Sequence, residues 1–221
     1  MAYHTIVFDL DGTLADTSPG IIETTRAIEQ QLGLTPCDEI EIRSIIGPPL
    51  QQAFQRIYGK TEEEADYIVG VYRQYYEANS MALKTSLYPG MRELLEFLRA
   101  RGVKMGVATH RVEPQARKTL ESMNIRDFFG ALHCYDEEGD PTKAQLIERV
   151  LDSLGVSDRS GVLMVGDSIY DSEGAAQAGV DFAAMTCGFG LCDPKVLAAF
   201  PNVVQASDAE QLARYIKANL A

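Results

Sequence analysis

Ile6-Val7-Phe8-Asp9-Leu10-Asp11-Gly12-Thr13-Leu14-Ala15-Asp16-Thr17 is the stretch that decides how this chain reads. Three apolar residues run directly into a polar turn, the pattern of a buried strand that ends in a loop. One residue separates Asp9 from Asp11, so both carboxylates can be aimed at one small volume. Gly12 allows a sharp turn and close backbone approach to a ligand, and Thr13 adds a hydroxyl donor. Two carboxylates in a glycine turn suit a hard divalent cation, with a phosphate bridging to it. The plainer reading is a loop tip in which Asp and Gly serve only the turn. The stretch alone leaves both open.

Downstream, the pattern is helical for a long way. Ser18-Pro19 is a helix start, with Ile21, Ile22, Thr25, Ile28 and Leu32 at helical spacing up to Gly33. Asp38 to Ile46 reads as a short helix stopped by Gly47-Pro48-Pro49. Leu50, Ala53, Phe54 and Ile57 continue to Gly59. Thr61 to Glu64 is a capping box ahead of Ala65, Ile68, Val69, Tyr72, Tyr75 and Tyr76. From Tyr88-Pro89-Gly90 onward helices alternate with strands. Strands are expected at Val103–Ala108, Ala131–Cys134, Val162–Val165 and Phe182–Thr186, with helices at Met91–Leu98, Ala116–Met123, Ala144–Leu154, Ala175–Ala178 and Ser207–Leu220. Alternation of this kind implies a parallel sheet covered on both faces. The fold class is α/β: a Rossmann-like core of residues 1–15 and 88–221, with an all-helical cap of 16–87 inserted after the first strand. The crossings near Ala15-Asp16 and Leu87-Pro89 are the expected hinges.

The chain has 221 residues, 46% of them hydrophobic, with 32 acidic against 20 basic side chains and a formal net charge of −12. A surface that negative repels nucleic acid and anionic membrane. It also repels anionic substrates, so a phosphate site needs local positive groups. No charged-then-apolar leader opens the sequence, and no apolar run approaches the roughly 18 residues of a membrane span. Cys37, Cys134, Cys187 and Cys192 form no Cys-x-x-Cys pair. Scattered reduced thiols in a cytoplasmic protein are the expectation, as a monomer or homodimer.

In an open α/β sheet, ligands bind beyond the carboxyl ends of the strands. Three strand ends here carry polar residues: Asp9 and Asp11 at the first, Thr109-His110-Arg111 at the second, and Gly166-Asp167-Ser168-Ile169-Tyr170-Asp171 at the third. The required cation is sought in Lys143. It opens a helix, where an ammonium opposes the macrodipole, and such a local violation often marks function.

The sequence Asp9-x-Asp11-Gly12-Thr13-Leu14-x-Asp16-Thr17 resembles the first motif of the haloacid dehalogenase superfamily of phosphohydrolases. Thr109, Lys143 and Gly166-Asp167-Ser168-x-x-Asp171 match the remaining motifs in order. Position 110 departs from the asparagine common there, and the Lys-Pro pattern often flanking the lysine is absent. The resemblance implies an Mg²⁺-dependent phosphatase acting on small phosphorylated metabolites through an aspartyl-phosphate. Asp9 is then the nucleophile and Asp11 the acid and base; Thr109 and Lys143 hold the phosphoryl group. Asp9, the Asp11 backbone carbonyl and Asp167 hold the metal, with Asp171 reaching it through water or else serving only as a helix cap. Substrate contacts are expected from Thr13, from the His110 backbone with its ring at the rim, and from Arg111 unless it is merely solvated. In the cap, Gly47 and Arg43 are the candidates, with Arg43 alternatively a solvated helix residue. Asp11 argues against the metal-independent dehalogenases. The cap stretch Ile45–Leu50 together with Tyr88-Pro89-Gly90 is similar to phosphoglycolate phosphatase-like and 5′-nucleotidase-like members. A sugar phosphomutase, or a non-catalytic interaction protein on the same scaffold, are the alternatives.

Overall fold

The computed structural model describes residues 2–136, 141–191 and 193–220. Cys192, noted in the sequence, lies outside the described residues. In chain order the elements are β1 (Thr5–Phe8), β2 (Ala15–Asp16), α1 (Ser18–Leu32), α2 (Glu39–Arg43), α3 (Leu50–Tyr58), α4 (Glu62–Ala78) and β3 (Ser86–Leu87). There follow α5 (Met91–Ala100), β4 (Lys104–Val112), α6 (Glu113–Ser122), β5 (Ala131–Tyr135), α7 (Lys143–Ser153) and β6 (Val162–Gly166). The chain closes with α8 (Ile169–Ala178), β7 (Asp181–Met185), α9 (Pro194–Leu197), β8 (Val204–Ala206) and α10 (Ala209–Ala218).

β1 sits inside a six-stranded sheet of order β5-β4-β1-β6-β7-β8, parallel at every pairing. Alternation along β1 explains its central place. Ile6 and Phe8 pack on one face with Met105, Val107, Leu163 and Val165. Val7 packs on the other with Ala108, Met164, Leu146 and Val150. A strand apolar on both sides is stable only when both sides are covered. Each fully buried side chain of this size contributes about 1.5–3 kcal/mol.

Two departures from the sequence pattern stand out. β4 does not stop at Ala108 but continues to Val112, with its register against β5 shifting between Thr109 and Val112. Thr109 still pairs with Cys134, and the irregularity takes His110 and Arg111 out of a regular ladder while keeping them on the strand. β8 has only three residues and mixed burial, and its pairing with β7 rather than its own sequence creates it.

Helices α1 to α4 pack round their own apolar cluster, which includes Ile21, Ile28, Ile42, Phe54, Ile68, Tyr72 and Tyr76. They join the sheet through a two-stranded antiparallel ribbon, Ala15 opposite Leu87 and Asp16 opposite Ser86. The Tyr88 N–H donates to the Leu14 carbonyl at 3.1 Å, so both crossings run side by side. Among the described residues, no helix is long and apolar enough to cross a membrane.

Candidate active site

The three polar strand ends meet at one edge of the sheet. The Asp9 N–H donates to the Val165 carbonyl at 2.9 Å, which holds its backbone beside β6. Its Oδ1 accepts from Lys143 Nζ at 2.7 Å. Lys143 is buried at 5% exposure and is the first residue of α7, behind a Thr142–Gln145 capping box. Its ammonium also donates to the Ala108 carbonyl at 3.0 Å and pairs with Asp171 Oδ1 at 2.8 Å. Burial works against that charge, but the Asp171 and Asp9 carboxylates outweigh it and raise the pKa. Asp171 spends its other oxygen on the Ser168 N–H at 3.0 Å and the Ser168 hydroxyl at 2.6 Å. It therefore closes the capping box of α8 and orients Lys143 at the same time.

Asp167 follows β6. Its Oδ2 accepts from the backbone N–H groups of Phe189 at 2.5 Å and Gly190 at 3.3 Å. Its Oδ1 lies 3.5 Å from the Thr13 hydroxyl. Gly12, at φ +79°, and Gly188 press against this carboxylate so closely that a Cβ on either would collide with it. Thr13 is fully buried, so it steadies Asp167 from behind.

Asp11 points differently from Asp9. Both its oxygens accept from Arg111: Nε reaches Oδ2 at 2.7 Å and Nη2 reaches Oδ1 at 2.7 Å. Thr17 also donates to it. Arg111 Nη1 donates to the Tyr76 hydroxyl of α4 at 2.8 Å. The buried Thr109 hydroxyl accepts from the Arg111 N–H at 3.2 Å. His110 lies beside the Gly47 carbonyl, Nδ1 to oxygen 3.3 Å, with its ring edge-on to Tyr170. Burial, and then Lys143, push the imidazole down to about 4; it is neutral at pH 7 and its Nδ1–H is the donor to Gly47.

A cavity of about 540 Å³ opens between the sheet edge and the helices α1 to α4. Asp9, Asp11, Thr109, His110, Arg111 and Gly47 line it. Lys143, Asp167, Thr13 and Asp171 form a buried layer that grips the lining residues or adjoins them. Arg43 is not in the lining: its guanidinium pairs with Glu39 at 3.0 Å and lies over the Phe189 ring. Sequence reading passed over Thr17, Tyr76 and the Gly188-Phe189-Gly190 loop. Only the loop left a signal, a Gly-x-Gly directly beyond a strand on the same sheet edge.

Asp9, Asp167 and Asp171 each offer an oxygen within 4.8 Å of the others. Burial first, then Asp171 and Asp11, push Asp9 up to about 7 against the opposing Lys143. Burial, Asp171 and Asp9 raise Asp167 well above the carboxylate range, with the Phe189 and Gly190 N–H groups opposing. Carboxylates crowded this tightly round one ammonium carry excess negative charge, and an all-oxygen set suits a hard divalent cation.

A profile of the haloacid dehalogenase-like hydrolases matches residues 6–185; the chain belongs to that family. A 5′-nucleotidase of Pseudomonas aeruginosa is 34% identical over 194 residues, 87% of this chain and 87% of that protein. A phosphoglycolate phosphatase of Rhodospirillum rubrum is 31% identical over 219 residues, 92% of this chain and 89% of that one. The solved structure of protein tyrosine kinase A (PtkA) from Mycobacterium tuberculosis superposes with a TM-score of 0.83 at 28% identity, covering 97% of this chain and 98% of that one. The chain is thus an enzyme, not a binding module on the same scaffold.

Proposed function

We propose that the protein hydrolyses small phosphomonoesters, with Asp9 as nucleophile and Mg²⁺ held by Asp9, Asp167 and the Asp11 backbone carbonyl. The observation that carries this reading is the buried Asp9–Lys143 pair at 2.7 Å, lining the same cavity as Thr109. A buried carboxylate gripped by an ammonium beside further carboxylates is an expensive arrangement that nothing in the packing requires. When bound, the metal offsets repulsion between Asp9 and the phosphoryl group and polarises its oxygens.

The residues divide the work. An Asp9 oxygen attacks phosphorus and the bond from phosphorus to the leaving oxygen breaks. Asp11 gives that oxygen a proton. Asp11 then takes a proton from water, which attacks the aspartyl-phosphate, frees inorganic phosphate and restores Asp9. Lys143 and the Thr109 hydroxyl hold the charge that spreads over the transferring group. Asp171 keeps Lys143 aimed at Asp9. Residues 16–87 act as a cap that closes over the leaving group during the first transfer and reopens to admit the attacking water. The ribbon of β2 and β3 is its hinge.

One fold serves different acceptors of a phosphoryl group, as the kinase name of the mycobacterial structure illustrates. A roofed cavity of about 540 Å³ favours water over a protein side chain here. Free Cys37, Cys134 and Cys187 fit a reducing, cytoplasmic setting. The test is release of p-nitrophenol from p-nitrophenyl phosphate with and without Mg²⁺, alongside D9N. Turnover that is metal-dependent and lost in D9N is expected; turnover retained by folded D9N removes Asp9 as nucleophile.

A further inference from the structure

The wall of the cavity that faces the leaving group carries polar groups that the phosphoryl group does not need. Arg111 grips both oxygens of Asp11 while its third nitrogen donates to Tyr76. Having accepted that bond, the Tyr76 hydroxyl keeps its own proton to donate. Tyr72 stacks against Tyr76, ring centroids 6.0 Å apart, and also lines the cavity at 3% exposure. Among the described residues its hydroxyl makes no hydrogen bond; only burial and the nearby Tyr76, Arg111 and Asp11 act on it. The hydroxyl opens on the cavity, where a ligand's polar group can take the place of water.

We propose that Arg111, Tyr72 and Tyr76 form a subsite for an anionic group on the leaving side of the substrate, a carboxylate or a second phosphate, and that the Asp11 carboxylate occupies it when no substrate is bound. The proposal rests on the phosphomonoesterase reading and narrows it. A buried guanidinium needs an anion, and Asp11 supplies one at rest. To serve the leaving oxygen, Asp11 must release the guanidinium and take up a proton from solvent, and another anion has to take its place. The planar fork of Arg111 fits a carboxylate or phosphate through two parallel bonds. The other carboxylate on the cap wall, Asp66, is held by Gln51. A neutral alcohol such as a nucleoside leaves Arg111 without its replacement anion and is a poor leaving group here.

Three esters of similar size test this with Mg²⁺ present: 2-phosphoglycolate, ethane-1,2-diol bisphosphate and the neutral 2-hydroxyethyl phosphate. The readout is the ratio of kcat/KM for each anionic ester to the neutral one. Wild type should prefer at least one anionic ester by about 10²-fold, and the one preferred identifies the anion. R111M should bring that ratio near one, R111K should keep part of it, and Y72F, which deletes a single unpartnered oxygen, should cut it about tenfold. A wild-type ratio near one for both anionic esters overturns the subsite. So does a ratio unchanged in R111M and Y72F, or an equal loss on all three esters in R111M. Turnover of p-nitrophenyl phosphate is scored separately. If no ester is hydrolysed, the phosphatase reading fails, and calorimetry with the same three esters still decides: equal affinities overturn the subsite.

Discussion

Lys143 sits where a lysine should not. Its charge opposes the N-terminal end of α7, and among the described residues the Asp9 and Asp171 carboxylates offset it. K143A would leave those two carboxylates facing each other in a buried layer. It is expected to lose at least about 10³-fold in turnover and to lower the midpoint of thermal unfolding; near-normal kcat in a folded K143A would free Lys143 from any role. D11N separates the acid from the nucleophile. It should lose roughly 10²–10⁴-fold on an alkyl phosphate, the usual worth of a positioned proton donor, and less on p-nitrophenyl phosphate, whose leaving group needs no proton. Equal losses on the two would sink the assignment. His110 yields a pH prediction. Its folded pKa of about 4 lies below the ordinary 6.5, so the unfolded chain takes up a proton that the folded chain refuses. The stability this gives is complete above about 6.5 and is lost as pH falls toward 4. H110Q should flatten that part of the curve of unfolding free energy against pH, and an unchanged slope would refute it. Lys143 was legible because it breaks a local rule. Arg43 was not, because α2 spans only Glu39–Arg43 and five residues define no face. Asp171 was half-legible: metal ligation and helix capping predict the same residue, and neither shows its bond to Lys143.

At the scale of elements, the loops beyond β1 and β7 act as a vice on Asp167. Gly12 has both a positive φ and no room for a Cβ. G12A should therefore displace Asp167 as well as strain the turn. Wild type is expected to gain thermal stability on adding Mg²⁺ through preferential binding to the folded state. G12A should lose most of that gain, and a Mg²⁺-dependent rise as large as wild type's would show that the vice does not set the site. The strands with unbroken apolar runs, β1 and β6, could be read directly from sequence. The far end of β4 could not, since Thr109 to Arg111 carry polar side chains and the strand beyond Thr109 owes its geometry to a shifted register with β5. The Phe189 and Gly190 N–H donors have no letter of their own, and the Gly-x-Gly beyond β7 was their only mark.

For the whole molecule, the roofed cavity sets a limit on size. Phosphopeptides and nucleic acids should be turned over far more slowly than small esters at equal concentration; comparable rates would mean that residues 16–87 do not enclose the leaving group. Apolar residues at helical spacing made the run of helices visible. What that spacing left unsaid was how the two crossings relate. They are hydrogen-bonded neighbours, with Tyr88 donating to Leu14 and Ala15 opposite Leu87. That pairing bears on how the chain folds. Between β1 and β4 lies a long stretch whose ends must meet before the sheet can form, and closing a long loop slows folding. Once α1 to α4 have collapsed on their own apolar cluster, their ends are already adjacent, and the sheet meets what is in effect a short turn. Replacing 17–85 by a tight glycine turn should then leave a sheet that still assembles at a similar rate, stripped of its roof yet recognisable by its circular dichroism.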